Sequence, residues 1–174
     1  GPAIETAGIL SVLRERELLA RYPEPLVRRA QALCREMTVV RDALTASSAG
    51  GVTAMHDATE GGVMGCLAEV AEASGVGMTV DETRFVYPDE VRMVCEAFGI
   101  DPVAAIAEGA LIITADAGRA ERILGDLGKA GIAASVIGSA LGFFFLLIAA
   151  QRFADEDVGY AIALFQTVSF LAAL

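Results

Sequence analysis

The run His56-Asp57-Ala58-Thr59-Glu60-Gly61-Gly62 places an imidazole, two carboxylates and a hydroxyl ahead of two glycines. His56 is the sequence's only histidine. An imidazole, with an ordinary pKa near ~6.5, suits proton transfer at neutral pH. Helix-start amides after Gly61 and Gly62 favour an anion through their N–H groups and the helix dipole. Asp57 and Glu60 would repel a bare phosphate, so a metal-bound phosphate or a cationic group is the better match. A purely structural reading uses the same residues. Asp57 or Thr59 caps a helix, the glycines make the turn, and His56 covers it.

The elements that position this run can be read on either side of it. Residues 52–55 form a short apolar run and 63–74 a helix-like one, with Val63, Leu67, Val70 and Ala71 as the buried stripe. A strand feeding a polar loop and then a helix puts the loop at the carboxyl end of a sheet, where open α/β sheets bind ligands. Gly75 is expected to stop that helix, and 77–80 to form a second strand. Pro88 opens a helix with Val91, Val94, Cys95 and Phe98 inward. Asp101 is expected to cap a short helix. Glu108-Gly109 precedes the apolar strand 110–114. A carboxylate at a strand entry serves an ion pair, a backbone cap or a cleft-facing role. Residues 118–129 form an amphipathic helix on Ile123, Leu124 and Leu127, and 133–137 a last strand.

Upstream, residues 5–20 have Ile9, Leu10, Val12 and Leu13 at helical spacing for the core. Tyr22-Pro23-Glu24-Pro25 breaks that helix. A second runs over 26–36 with Leu26, Ala30 and Leu33 on one side. A third starts at Thr38, with Val39, Val40 and Leu44 for the core. These helices are packing elements. Strands alternating with helices imply a layered α/β domain.

Composition narrows the partners. With 23 Asp+Glu against 13 Lys+Arg, the formal net charge is −10. Phosphate-backbone binding needs a basic surface, so nucleic acid is excluded as a partner. Cys34, Cys66 and Cys95 are far apart in helix-like runs, which predicts buried, reduced thiols and a cytoplasmic setting.

The segments 56–63 and 67–77 together closely resemble the C-terminal domain of the AIR synthase-related superfamily, nearest to its hydrogenase-maturation branch. Ala107-Glu108-Gly109-Ala110-Leu111-Ile112-Ile113 resembles that domain's Asn-Glu-Gly-x-Leu strand entry, with Ala107 in place of the usual Asn. Ala134-Ser135-Val136-Ile137-Gly138 resembles its closing strand. The resemblance covers about residues 1–140, and the ordered set of motifs is more specific than any one of them.

The resemblance implies a three-layer α-β-α domain with a mixed sheet, an α/β (α+β) class, over residues 1–138. It implies half of an ATP-dependent enzyme, with ATP and Mg2+ held mostly by an N-terminal domain in cis or in trans. It also implies a homodimer and a small-molecule or peptide substrate. By carry-over, His56 would donate a proton or polarise the substrate, with Asp57 as its catalytic companion. Asp57, Thr59 and Glu60 would orient substrate or metal-phosphate. Gly61 and Gly62 would hold anionic oxygen, and Glu108 would face the same cleft. No metal ligand is assigned. A non-catalytic module that binds a nucleotide or a partner chain is the alternative. The hydrogenase-maturation enzymes end in a cysteine, whereas this sequence ends Leu171-Ala172-Ala173-Leu174. That departure leaves the exact reaction open.

Residues 139–174 depart from the family pattern. Two uncharged, apolar runs flank a charged break at 152–157. They read as an apolar helical tail: a membrane hairpin, a fusion fragment or a helical pair packed on the domain.

Overall fold

The computed structural model describes residues 1–141. The tail assigned above to an anchor, a fusion or packed helices lies almost wholly outside the described residues. Among the described residues, no helix is long and apolar enough to cross a membrane. The architecture is α+β. Helices α1 (Ile4–Leu13), α2 (Glu15–Leu19), α3 (Glu24–Ala32) and α4 (Val40–Ala49) lead to strand β1 (Val52–Ala58). Helix α5 (Gly62–Ser74), strand β2 (Gly77–Val80), helix α6 (Asp89–Phe98), strand β3 (Ala110–Ala115), helix α7 (Ala120–Lys129) and strand β4 (Gly138–Leu141) follow.

The chain forms two compact units. The first holds residues 1–66 and 86–135, and the second begins at Leu67–Phe85 and resumes at Val136. In the first unit, α1, α2, α3 and α6 share a core of Ile4, Ala7, Leu18, Val27, Ala30, Val91, Val94 and Cys95. A second core in that unit sets Ala46 and Ala49 of α4 and Ile123 and Leu127 of α7 under Met55 and Ile113 of the β1–β3 ribbon. Of the stripes expected of α6 and α7, Val91, Val94, Cys95, Ile123 and Leu127 are buried, whereas Phe98 and Leu124 are half-buried.

Strand pairing is antiparallel. β1 runs against β3 with His56 opposite Ile112, Asp57 opposite Leu111 and Ala58 opposite Ala110. In the second unit β2 runs against β4, from Gly77 opposite Leu141 to Val80 opposite Gly138. The parallel pairing that a mixed sheet requires is not present among the described residues, whose two sheets each have two strands. Also in the second unit, the end of α5 is closed by two hydrogen bonds, Gly75 N–H to Glu72 O and Val76 N–H to Ala71 O, at 3.1 and 3.0 Å. That is the paired pattern of a glycine C-cap.

Several local expectations are corrected. The first helix breaks at Arg14 (φ −115°, ψ 27°), giving α1 and α2 in place of one helix over 5–20. α1 buries Ile4, Ala7, Gly8 and Ser11, while Ile9, Val12 and Leu13 face outward. The reason is close approach. A Cβ on Gly8 would lie 3.0 Å from Cys34 Sγ, so the small residues must turn inward. α4 starts at Val40 and buries Ala46 and Ala49, leaving Val40 and Leu44 exposed. Pairing with β3 extends β1 through Ala58, so His56 and Asp57 are strand residues and the loop is shorter than expected. The last strand is at 138–141 and not at 133–137. Asp101 Oδ1 accepts from Val103 N–H at 3.1 Å as expected, but it caps a turn and not a helix. All three cysteines are free thiols, and Cys34 is exposed where burial was expected.

Candidate functional site

β1 delivers His56 and Asp57 at its carboxyl end. Alternate strand residues face opposite sides of the ribbon, yet the His56 imidazole Nδ1 lies 3.5 Å from Asp57 Oδ1. Both are reachable from solvent, with side-chain exposures of 34% and 55%. The main chain beneath them is fixed from α5, where the buried Cys66 thiol donates to the His56 carbonyl at 3.5 Å. Ala58, fully buried, ends the strand.

The turn Thr59-Glu60-Gly61 joins the strand to α5. Gly62 N–H donates back to Thr59 O at 2.9 Å, and Gly65 N–H to Gly61 O at 2.9 Å. Met64 N–H donates to Val103 O at 3.1 Å. Helix N-termini bind anions through amides that lack intrahelical partners. Here the Gly62 and Met64 amides already meet protein carbonyls, so the turn relies less on them than the residue types suggest.

Gly62 is set by geometry. Its φ is +62°, and a Cβ there would stand 2.6 Å from the carbonyl oxygens of Val103 and Ala105. The 103–105 turn is therefore pressed directly onto the start of α5.

Glu60 is exposed, and its carboxyl is held below the usual carboxylate range by its own backbone N–H and then by the Thr59 hydroxyl. Hydrogen bonds to the charged form favour ionisation. Thr59 and Glu60 thus act as a unit, a hydroxyl presenting an ionised acceptor.

Glu108 joins this edge through the backbone. Ala107 N–H donates to Thr59 O at 3.4 Å. Gly109, with φ +95°, lets Glu36 O come to 2.6 Å from where a Cβ would stand, and the β3 entry depends on it. Glu108 N–H donates to Glu5 Oε2 at 3.4 Å, while the Glu108 side chain is exposed. The structure therefore gathers all seven expected residues around the β1–α5 junction and the β3 entry, within the first unit.

Sequence reasoning missed the supporting residues. Glu5 and Thr6 of α1, Cys66 of α5 and the 103–105 turn all bear on this edge. Their partners lie as far as 103 positions away in the chain, so no local spacing signals them. Among the described residues, no group of three or more His, Cys, Asp or Glu could hold a metal ion.

Comparison with known proteins bears on this arrangement. The family model for "AIR synthase related protein, C-terminal domain" matches residues 4–142. A hydrogenase expression/formation protein of Methanocaldococcus jannaschii is 33% identical over 114 residues, which is 62% of this chain and 34% of that protein. The crystal structure of Escherichia coli HypE, a hydrogenase maturation protein, aligns with a TM-score of 0.54 at 31% identity, covering 61% of this chain and 36% of that one. A HypE structure in complex with ATP aligns with a TM-score of 0.51 at 33% identity, covering 56% and 30%. The chain thus spans about a third of the length of these relatives.

Proposed function

Because the chain belongs to the AIR synthase related protein family, as its C-terminal domain, we propose that it is one half of an ATP-dependent enzyme of the hydrogenase-maturation type. In this reading residues 56–62 wall the ATP and substrate cleft shared with an N-terminal half, in cis or in trans. A relative that binds ATP supports the nucleotide. The observation that carries the reading is the His56–Asp57 pair at 3.5 Å, set beside the ionised Glu60 and its Thr59 hydroxyl on one rim.

The roles follow from chemistry. His56 donates a proton to the substrate or polarises it, and Asp57 stabilises the charged imidazole. Thr59 and Glu60 orient a substrate N–H group or a metal-bound phosphate. Gly61 lends its amide, whereas Gly62 shapes the turn. Glu108 lines the same rim from the β3 entry. By the family resemblance, Mg2+ would come with the nucleotide and be held mostly by the other half. A homodimer, a small-molecule or peptide substrate and a cytoplasmic setting complete the proposal.

The test is a hybrid in which residues 4–141 of this chain replace the matching segment of E. coli HypE, with that enzyme's own C-terminal end kept in place. Expected is ATP-dependent turnover that falls at least about 100-fold in His56→Ala, the typical scale of general acid–base catalysis. Asp57→Ala should fall less. Unchanged turnover in both variants would make the loop purely structural. MgATP binding without turnover would point instead to a non-catalytic nucleotide-binding module.

A further inference from the structure

The first turn of α1 is tied to the site edge by hydrogen bonds. Thr6 Oγ1 donates to Ile106 O at 2.8 Å, and Thr6 N–H donates to the same oxygen at 3.3 Å. One carbonyl thereby receives both a side-chain donor and one of the N-terminal amides that a helix cannot satisfy internally. Glu5 Oε2 accepts from Glu108 N–H at 3.4 Å. Ala107 N–H passes the connection on to Thr59 O at 3.4 Å. Four hydrogen bonds thus run from residues 5 and 6, through 106–108, to Thr59.

We propose that Thr6 is a positioning residue of the site. Its hydroxyl fixes the 106–108 turn, and that turn sets both where Glu108 stands and how Thr59 is held beneath Glu60. The proposal rests on the reading of this rim as the substrate rim. Glu5 is the second anchor. Its carboxylate restrains the Glu108 amide, so the Glu108 side chain leaves a backbone that cannot swing. Nothing in residue types or spacing marks Thr6, because its partner lies 100 positions away.

The decisive comparison is Thr6→Val, which keeps the shape and removes the hydroxyl, against Thr6→Ser, which keeps the hydroxyl. Backbone amide hydrogen exchange by NMR on the full chain reads the clamp. Thr6→Val should speed exchange at Ala107 and Glu108 about ten-fold or more, as local opening does. Ile113, in the ladder opposite Met55, should not change, and Thr6→Ser should behave as the original protein. In the hybrid enzyme Thr6→Val should lower kcat/KM about ten-fold, the scale of a small misplacement, and Thr6→Ser should restore it. Unchanged exchange at Ala107 and Glu108 overturns the clamp. Faster exchange with full activity overturns the positioning role and leaves a structural tie only. Unchanged turnover in His56→Ala and Asp57→Ala would instead refute the loop reading, while the exchange comparison still decides the clamp.

Discussion

Gly62→Ala isolates the steric demand at the start of α5, and Gly99→Ala is its control. The two glycines have nearly the same backbone, with φ +62° and +64°. A Cβ at Gly99 meets nothing within 4 Å, whereas at Gly62 it meets the Val103 and Ala105 oxygens at 2.6 Å. The left-handed backbone costs alanine roughly 1–2 kcal/mol. Loss of unfolded-state freedom returns about 0.4–1 kcal/mol of that. Gly99→Ala should therefore cost about 0–1.6 kcal/mol. Gly62→Ala carries the same cost, and two carbonyls must also retreat by several tenths of an ångström. Overpacking of this kind adds about 1–3 kcal/mol. Urea unfolding followed by far-UV circular dichroism reads both, with stability taken from midpoint and slope. The expected result is a gap of about 1–3 kcal/mol between the variants, with Gly62→Ala the weaker. Equal midpoints would refute the claim that the 103–105 turn presses on Gly62.

Two pH-linked outcomes follow from the ionisable groups. Burial, with Asp101 and Glu96 adding to it, raises the Cys95 thiol to about 11 from 9.0. Its native form holds a proton that the unfolded chain has lost, so this share of stability is full below pH ~9 and is lost as pH rises towards ~11. Urea midpoints taken from pH 8 to 11 should fall, and Cys95→Val should flatten that fall; parallel curves would reject it. Glu60 is shifted the other way, so Thr59→Val should move the Glu60 carboxyl midpoint up towards the ordinary carboxylate range in a carbon-13 NMR titration. No movement would mean that the Thr59 hydroxyl does not hold it.

How much of this was legible in the sequence varies with the distance over which each feature is decided. The polar character of 56–62 is written in residue types, and α6 and α7 carry stripes clear enough to give most of their buried faces. His56 and Asp57 read as loop because polar residues seldom mark a strand. Their strand conformation comes from Ile112 and Leu111 opposite them, a fact of pairing and not of local pattern. α1 is apolar on nearly every side, so its sequence names no inward face; contact with Cys34 chose the side bearing Gly8. The start of β3 at Ala110 depends on Gly109 accommodating Glu36 O, which no window of the sequence contains. The Thr6 clamp was illegible for the same reason.

The β1–α5 turn separates its frame from its chemistry. Gly62 and Ala58 are buried, and Gly62 leaves no room for a larger side chain. Glu60 and Asp57 project into solvent and support little packing. Substitutions at the exposed positions can alter charge and hydrogen-bonding character at little folding cost, since surface changes usually stay within about 0.5 kcal/mol. A lineage that keeps the frame can therefore change the charge and hydrogen-bonding character of this edge in single steps, without passing through a misfolded intermediate.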